Sequence, residues 1–423
     1  MNPVSRTLAG TPAANLRMGR WSRMLRERVL QRLAALSDGY IVLEDAWGVS
    51  AYGARAAPLQ AHVRIRDGSF YGALAARGSV GAAEAYMAGH WECDDLVALI
   101  RILVRNRALL DDMERGTARL GGAFLRLAHA LRRNTLAGSR RNIAAHYDLG
   151  NEFFALFLSP DLMYSSALWT AADRTLEQAS ERKLERICAR LRLNAADHVL
   201  EIGTGWGGFA LHAATRYGCR ITTTTISREQ QLLAQERITR AGLAGRVTVL
   251  LEDYRNLSGQ YDKLVSIEMI EAIGADYLAT YFGQLTRLLK SDGLALLQAI
   301  TIEDHRYAQA LRSVDFIKRH VFPGSFIPSI AAMLAAKTQV SDLGLISLED
   351  FGLSYARTLA AWRAAFLAHL DQVRAQGFDE RFVRLWDFYF AYCEGGFRER
   401  SIGVAQMLFA RPAYRALLNA GDA

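Results

Sequence analysis

Lysine is scarce in this chain of 423 residues: of its 51 basic residues, five are lysine and 46 arginine. Cysteine is scarce too. Cys93, Cys188, Cys219 and Cys393 are dispersed, with no CxxC and no paired histidine spacing. That argues against a disulfide scaffold and a structural zinc site, and fits a reducing compartment. Seven prolines exclude collagen-like repetition, and 51% hydrophobic against 22% charged residues excludes wholesale disorder. No apolar run approaches the ~20 residues of a membrane-spanning helix. The longest candidate, around Ile330–Ala336, is far shorter. The opening MNPVSRTLAGTPAANLRMGRW has no apolar stretch of secretory type, and no solenoid repeat is visible. A cytoplasmic chain is expected.

What is present is unevenly spread. The formal charge is +8, yet residues 1–145 carry 21 arginines and 12 acidic residues, a net +9, leaving the remainder near −1. A basic first third on a near-neutral body asks for a polyanionic partner, nucleic acid or an anionic membrane. No zinc-finger, homeodomain, RRM or KH signature occurs, so nucleic acid is not expected. Residues 17–36 read as an amphipathic helix with an arginine-rich face. Residues 40–72 alternate in strand fashion between Asp-Gly and glycine turns. Two helical segments broken near Gly89 follow, so residues 1–114 read as a small α+β domain. From Arg115 to Arg141 there is no acid, and six arginines follow Arg115, with Phe124, Leu125, Leu127 and Leu131 between them. A solvated linker and a membrane-surface segment both fit that pattern.

Beyond Asn142 the pattern changes to α/β. HVLEIG (198–203), CRITTTTIS, RVTVLLED, YDKLVSIEM and GLALLQAITI read as strands separated by helices, one of them capped by Ser227. Such alternation predicts a doubly wound, mostly parallel sheet over residues 142–423. Between the first strand and its helix stands Glu201-Ile202-Gly203-Thr204-Gly205-Trp206-Gly207-Gly208. Glycines there let backbone approach a ligand at the carboxyl edge of the sheet. The second strand ends TTTTIS, without the ribose-binding carboxylate of a dinucleotide site, and no GxxxxGK[ST] exists. A nucleoside-type cofactor is the expectation; a ligand-free glycine turn is the plainer alternative.

The E-x-G-x-G ending has the shape of class I S-adenosylmethionine-dependent methyltransferases. Together with HYDLGNEFFALFLSPDLMYSSALW (146–169), TISREQ (225–230), EDYRNL (252–257), FIKRHVFPGSFIPS (316–329), SYARTLAAW (354–362) and CEGGFRERSIGVAQMLF (393–409), it resembles the cyclopropane-fatty-acyl-phospholipid synthase family. GSVGAAEAYMAGHWECDDL (78–96) resembles the amino-terminal domain of its longer bacterial members. The resemblance spans roughly residues 60–410. It implies a class I methyltransferase domain with helical insertions after the smaller domain. It also implies addition of the methyl carbon of S-adenosylmethionine across a cis double bond of an acyl chain in membrane phospholipid. A carbocation then loses a proton to bound bicarbonate as the ring closes.

Site residues follow from the same resemblance. Gly203, Gly205 and Gly207 would lie under the methionine part of S-adenosylmethionine, with Tyr164 and Ser165 beside it. Thr225, Ser227 and Gln230 would hold the ribose, and Asp253 and Tyr254 the adenine. Thr204 and Glu201 stand where many members have cysteine and aspartate. The bicarbonate site would comprise Glu271, Tyr355, the backbone of Ile300, Ser166 in place of cysteine, and Gln298 in place of histidine. Glutamine can hydrogen-bond an anion but does not titrate, which makes ring closure the step most open to change. Cys393 matches a cysteine near the family's active site that is not a nucleophile; a small buried residue is its plainer reading. Phe316, Phe322 and Phe326 could wall an acyl tunnel or simply be core.

Three functions follow from these features: cyclopropanation of unsaturated acyl chains; methylation of the same chains without ring closure, giving a methylene- or methyl-branched product; or a catalytically silent binding protein on this fold. An anionic phospholipid bilayer is the expected partner, approached from its cytoplasmic face. The resemblance also implies a homodimer built through the amino-terminal domain.

Overall fold

The computed structural model describes residues 20–108 and 149–415. Their elements, in chain order, begin with α1 (Arg20–Leu33), β1 (Tyr40–Asp45), β2 (Gly48–Gly53), β3 (Gln60–Ile65), α2 (Ser69–Met87), β4 (Trp91–Cys93) and α3 (Leu96–Arg105). After the gap come α4 (Asn151–Ala155), α5 (Leu176–Leu191), β5 (His198–Ile202), α6 (Gly208–Tyr217), β6 (Arg220–Thr225), α7 (Arg228–Arg240), β7 (Val247–Leu251) and β8 (Tyr261–Ile267). The remainder are α8 (Leu278–Leu288), β9 (Leu289–Ile302), α9 (Asp304–Arg312), α10 (Ile330–Val340), β10 (Gly344–Asp350), α11 (Gly352–Ala368), α12 (Leu370–Ala375), α13 (Glu380–Arg398) and β11 (Ile402–Ala410).

Packing divides these residues into two compact units. One holds residues 20–108 together with Ser313–Val321 and Phe366–Ser401; the other holds 149–312, Phe322–Ala365 and 402–415. The units therefore interleave in sequence. The expected linker, 115–141, and both of its boundaries lie outside the described residues.

In the first unit a four-stranded sheet runs in the order β2-β1-β3-β4, with only β1 and β3 parallel. The strands alternate as expected, but the helical stretch begins at Ser69, and β4 separates α2 from α3. α13 packs against α2 and α3. Its Asp387 accepts a hydrogen bond from the Tyr86 hydroxyl at 2.7 Å, and Glu399 just beyond it accepts from Arg101 at 2.6 Å. Those contacts explain why a segment distant in sequence joins this unit.

The second unit is built on a seven-stranded sheet in the order β10-β11-β9-β8-β5-β6-β7. The five strands from β9 to β7 are parallel, and β11 is antiparallel to both neighbours. β5 is buried along four of its five residues, as a central strand covered on both faces must be. Chain order reverses between β5 and β8, which opens a crevice at their carboxyl ends. α5 starts on Thr175, whose side chain accepts from the Gln178 amide, and α7 starts on Ser227, which accepts from the Gln230 amide. Such caps satisfy donors that a helix start leaves unpaired.

Candidate active site

The glycine loop forms one wall of the crevice. Gly203, Gly205 and Gly207 have φ of 102°, 49° and 84°, a left-handed run that side chains resist. The loop is clasped from both sides. A Cβ on Gly208 would stand 2.6 Å from Met163 Sδ and 2.7 Å from Asp161 O, and one on Gly203 would stand 3.3 Å from Met269. Arg237 of α7 fixes the clasp by donating to the carbonyls of Asp161 and Trp206. At Gly205 the space around such a Cβ is open. The loop thus presents bare backbone to a ligand.

At the end of β6, Thr225 donates to Gln230 Oε1 at 2.8 Å and accepts from the Ser227 amide at 3.1 Å, so these three expected residues are together. Asp253 forks onto Arg255 at 2.8 and 2.7 Å, while Tyr254 is buried with its ring 5.5 Å from that of Tyr281. Tyr164 lies in an aromatic wall, 5.3 Å from both Phe154 and Trp362 and 6.3 Å from Phe322; Tyr355 meets Trp362 edge-on at 6.0 Å. The other two phenylalanines go elsewhere. Phe326 belongs to the core beneath the sheet, and Phe316 packs at 4.9 Å on Phe388 in the first unit. Cys393 also lies in the first unit, on α13, where burial holds its thiol protonated.

Beyond β8 the chain delivers two buried carboxylates, Glu268 and Glu271. Glu268, absent from the expected set, is the centre of the site. Its Oε1 accepts from the Ser166 amide at 2.9 Å and from Gln298 Nε2 at 2.7 Å, and its Oε2 accepts from the Tyr355 hydroxyl at 2.8 Å. Gln406 donates to Gln298 Oε1 at 3.0 Å, which turns the Gln298 amide nitrogen towards Glu268. Glu271 Oε1 accepts from the Ile300 amide at 2.5 Å, and its Oε2 is buried without a partner. The Ser166 hydroxyl turns away to its neighbour's carbonyl.

The donors expected to surround bicarbonate are therefore committed to protein carboxylates: those of Ser166, Gln298 and Tyr355 to Glu268, that of Ile300 to Glu271. A further anion would enter a buried site already holding two carboxyl groups, with no expected donor left to receive it. The residues as arranged do not fit bound bicarbonate.

One buried cation balances this cluster. Lys183 of α5 has no exposed surface, and its ammonium donates to Ser165 Oγ at 2.8 Å. Burial lowers its pKa to about 8, opposed by the charges of Asp161, Glu268 and Glu201. Burial raises Glu271 to about 8, helped by the charge of Glu268. Burial also raises Glu268, opposed by its three donors and Lys183. Glu201, on β5, is likewise raised to about 8 by burial, and its Oε2 has no partner. Burial and the neighbouring Glu268 carboxylate both favour the protonated form of Glu271, whereas at Glu268 the donors and Lys183 oppose the effect of burial. The sequence carries a faint signal for both unexpected residues. Lys183 shares the buried face of α5 with Ala179 and Ile187, and Glu268 is a carboxylate closing an apolar strand.

Counted from β5, the sheet order reads third, second, first, fourth, fifth, seventh, sixth, with the seventh strand antiparallel and a glycine loop after the first. That is the class I methyltransferase fold. The chain belongs to the mycolic acid cyclopropane synthetase family, whose pattern it matches over residues 135–407. It is 36% identical to the cyclopropane-fatty-acyl-phospholipid synthase of Escherichia coli K12 over 355 residues, 83% of this chain and 88% of that protein. It is 34% identical to the tuberculostearic acid methyltransferase UfaA1 of Mycobacterium tuberculosis over 423 residues, 95% of this chain and 97% of that protein. Among solved structures it is similar to the mycolic acid cyclopropane synthase CmaA1 complexed with SAH and CTAB. The TM-score there is 0.60 at 29% identity, over 64% of this chain and 98% of that one. The chain is an S-adenosylmethionine-dependent methyltransferase of the cyclopropane-synthase type.

Proposed function

We propose that this enzyme adds the methyl carbon of S-adenosylmethionine to the cis double bond of an unsaturated acyl chain in membrane phospholipid and closes a cyclopropane ring. The observation that carries this reading is the buried Glu268–Glu271 pair beside the wall of Tyr164, Trp362 and Tyr355. S-adenosylmethionine supplies an electrophilic methyl on a sulfonium. Gly203, Gly205 and Gly207 would receive its methionine part with Tyr164 and Ser165, while Thr225, Ser227 and Gln230 would hold the ribose, and Asp253 and Tyr254 the adenine. An alkene is a weak nucleophile, so alignment in a dry pocket carries much of the rate. The aromatic faces suit a cation developing on the acyl chain and exclude water that would trap it.

The second reading keeps methyl addition but ends without a ring. Gln298 favours it: the chain has an amide where the resemblance expects a titrating histidine, and one of the two relatives above is named a methyltransferase. An exomethylene product is isomeric with the ring, whereas a saturated branch needs a further hydride. Vesicles of cis-unsaturated phosphatidylglycerol with labelled S-adenosylmethionine, followed by chromatography and mass spectrometry of the acyl chains, separate the outcomes. A ring product supports the first reading; an exomethylene alone overturns it. Absence of label transfer with cofactor binding intact would leave a binding protein.

Access to lipid is proposed at the surface of an anionic bilayer, from its cytoplasmic face. No described helix is long and apolar enough to cross a membrane. α1 exposes Arg20, Arg23, Arg28 and Arg32 alongside Trp21, which is 74% exposed. Exposed arginines beside a bare indole suit an anionic interface.

A further inference from the structure

We infer that Glu268 supplies, from the protein itself, the anionic proton acceptor of the reaction, so that the enzyme completes its product without a dissolved anion. This rests on the methyl-transfer reading above. Three observations carry it. First, three donors from separate parts of the chain, the Ser166 amide, the Gln298 side chain and the Tyr355 hydroxyl, converge on this one carboxylate. Second, Glu268 has φ +50°, a left-handed conformation that a non-glycine residue adopts at a cost, so its side chain is held in the site against backbone preference. Third, the neighbouring charges separate the roles of the two carboxyls. Burial raises Glu268, but three donors and Lys183 oppose that rise, while Glu271 has one donor and an unpartnered oxygen.

The chemistry balances with Glu268 as acceptor. Methyl transfer breaks the carbon–sulfur bond, whose electron pair stays on sulfur. The alkene π pair forms the new carbon–carbon bond and leaves the neighbouring carbon cationic. Glu268 Oε2 accepts a single donor and so keeps a lone pair for a proton. It takes that proton from the added methyl, and the released C–H pair closes the ring. After a hydride shift onto the cation, loss of the same proton gives the exomethylene instead. Either way Glu268 ends as a carboxylic acid and returns the proton to solvent between turnovers.

The test compares wild type with Glu268→Gln and Glu268→Gly in buffer stripped of carbon dioxide and in buffer with added bicarbonate. Glycine suits the φ of +50°, and glutamine is isosteric; titration with S-adenosylhomocysteine checks that each variant is folded. Wild type should be indifferent to bicarbonate. Glu268→Gln should lose about 10³-fold in lipid product, the scale of a missing general base, in both buffers. Glu268→Gly should lose as much in stripped buffer and regain at least about tenfold with bicarbonate. Carbon-13 NMR with labelled bicarbonate should show a bound signal for Glu268→Gly and none for wild type. A wild-type rate that collapses without bicarbonate, or a Glu268→Gln variant that keeps its rate, overturns the inference. The NMR arm uses no lipid, so a wild-type enzyme that methylates no acyl chain would refute the functional reading separately.

Discussion

Asp45 in the amino-terminal unit and Glu268 in the methyltransferase unit are both buried carboxylates, each with three hydrogen-bond donors, yet their surroundings differ in kind. Asp45 accepts from Arg26 Nε at 2.5 Å, from the Tyr71 hydroxyl at 2.5 Å and from the Trp47 amide at 2.9 Å. A guanidinium in direct contact answers its charge. Glu268 has three neutral donors, and the ammonium of Lys183 bonds Ser165 rather than a carboxylate. Around it, Glu271 and Glu201 each bury an oxygen with no partner. Fully answered charge stabilises a fold, because removing either partner strands the other. Charge left partly unanswered is held in place by the rest of the fold and remains available for proton transfer.

Substituting Lys183 should produce the largest effect on this comparison. Lys183→Met removes, among the described residues, the one buried ammonium that acts on Glu268, so product formation should fall about 10²-fold, within the range of acid–base catalysis. Thermal unfolding should show some loss of stability as well, because the carboxylates nearby lose the cation that balances them. Loss of stability with retained turnover would place Lys183 with the structural pairs and break the contrast.

Tyr71→Phe should act on stability alone. Losing one donor to Asp45 should cost about 1–2 kcal/mol in denaturant unfolding. Affinity for S-adenosylhomocysteine, measured by calorimetry, should be unchanged, since the glycine loop and its clasp belong to the other unit.

A last effect is one of pH. Glu271 has a folded pKa raised to about 8 from 4.5, so the folded state keeps a proton that the unfolded state has lost between those values. Its contribution to stability therefore falls as pH rises through that window, by at most about 1.4 kcal/mol per unit. Glu271→Gln should flatten the decline, and its advantage in Tm over wild type should be greater at mildly alkaline than at mildly acidic pH. An equal difference at both would mean that Glu271 is not held protonated.

Much of the fold was legible because its signals are local. The apolar runs, the Ser227 cap and the glycine loop each depend on neighbours within a few residues, and each appears where the pattern predicted. The split of α2 and α3 by β4 was less legible, since a strand as short as Trp91–Cys93 has no period of its own. The interleaving of the two units was not legible at all. It depends on α13 packing against helices almost 300 residues earlier, and one helix's amphipathic pattern does not name its partner.

The site divides along the same line. The sequence alone determined which groups could serve: glycines after the first strand, Ser166, Gln298 and Tyr355 in recognisable blocks, and Glu271 after β8. Only the tertiary structure decided what those groups bind. Donors from three distant parts of the chain meet on Glu268 rather than around an empty centre, and one of five lysines in an arginine-rich chain becomes the buried cation beside them. The physical reason is that a hydrogen-bond partner is chosen by position in space, and burial, which raises the carboxyls of Glu201, Glu268 and Glu271 and lowers the Lys183 ammonium, belongs to the packed chain and not to any residue in it.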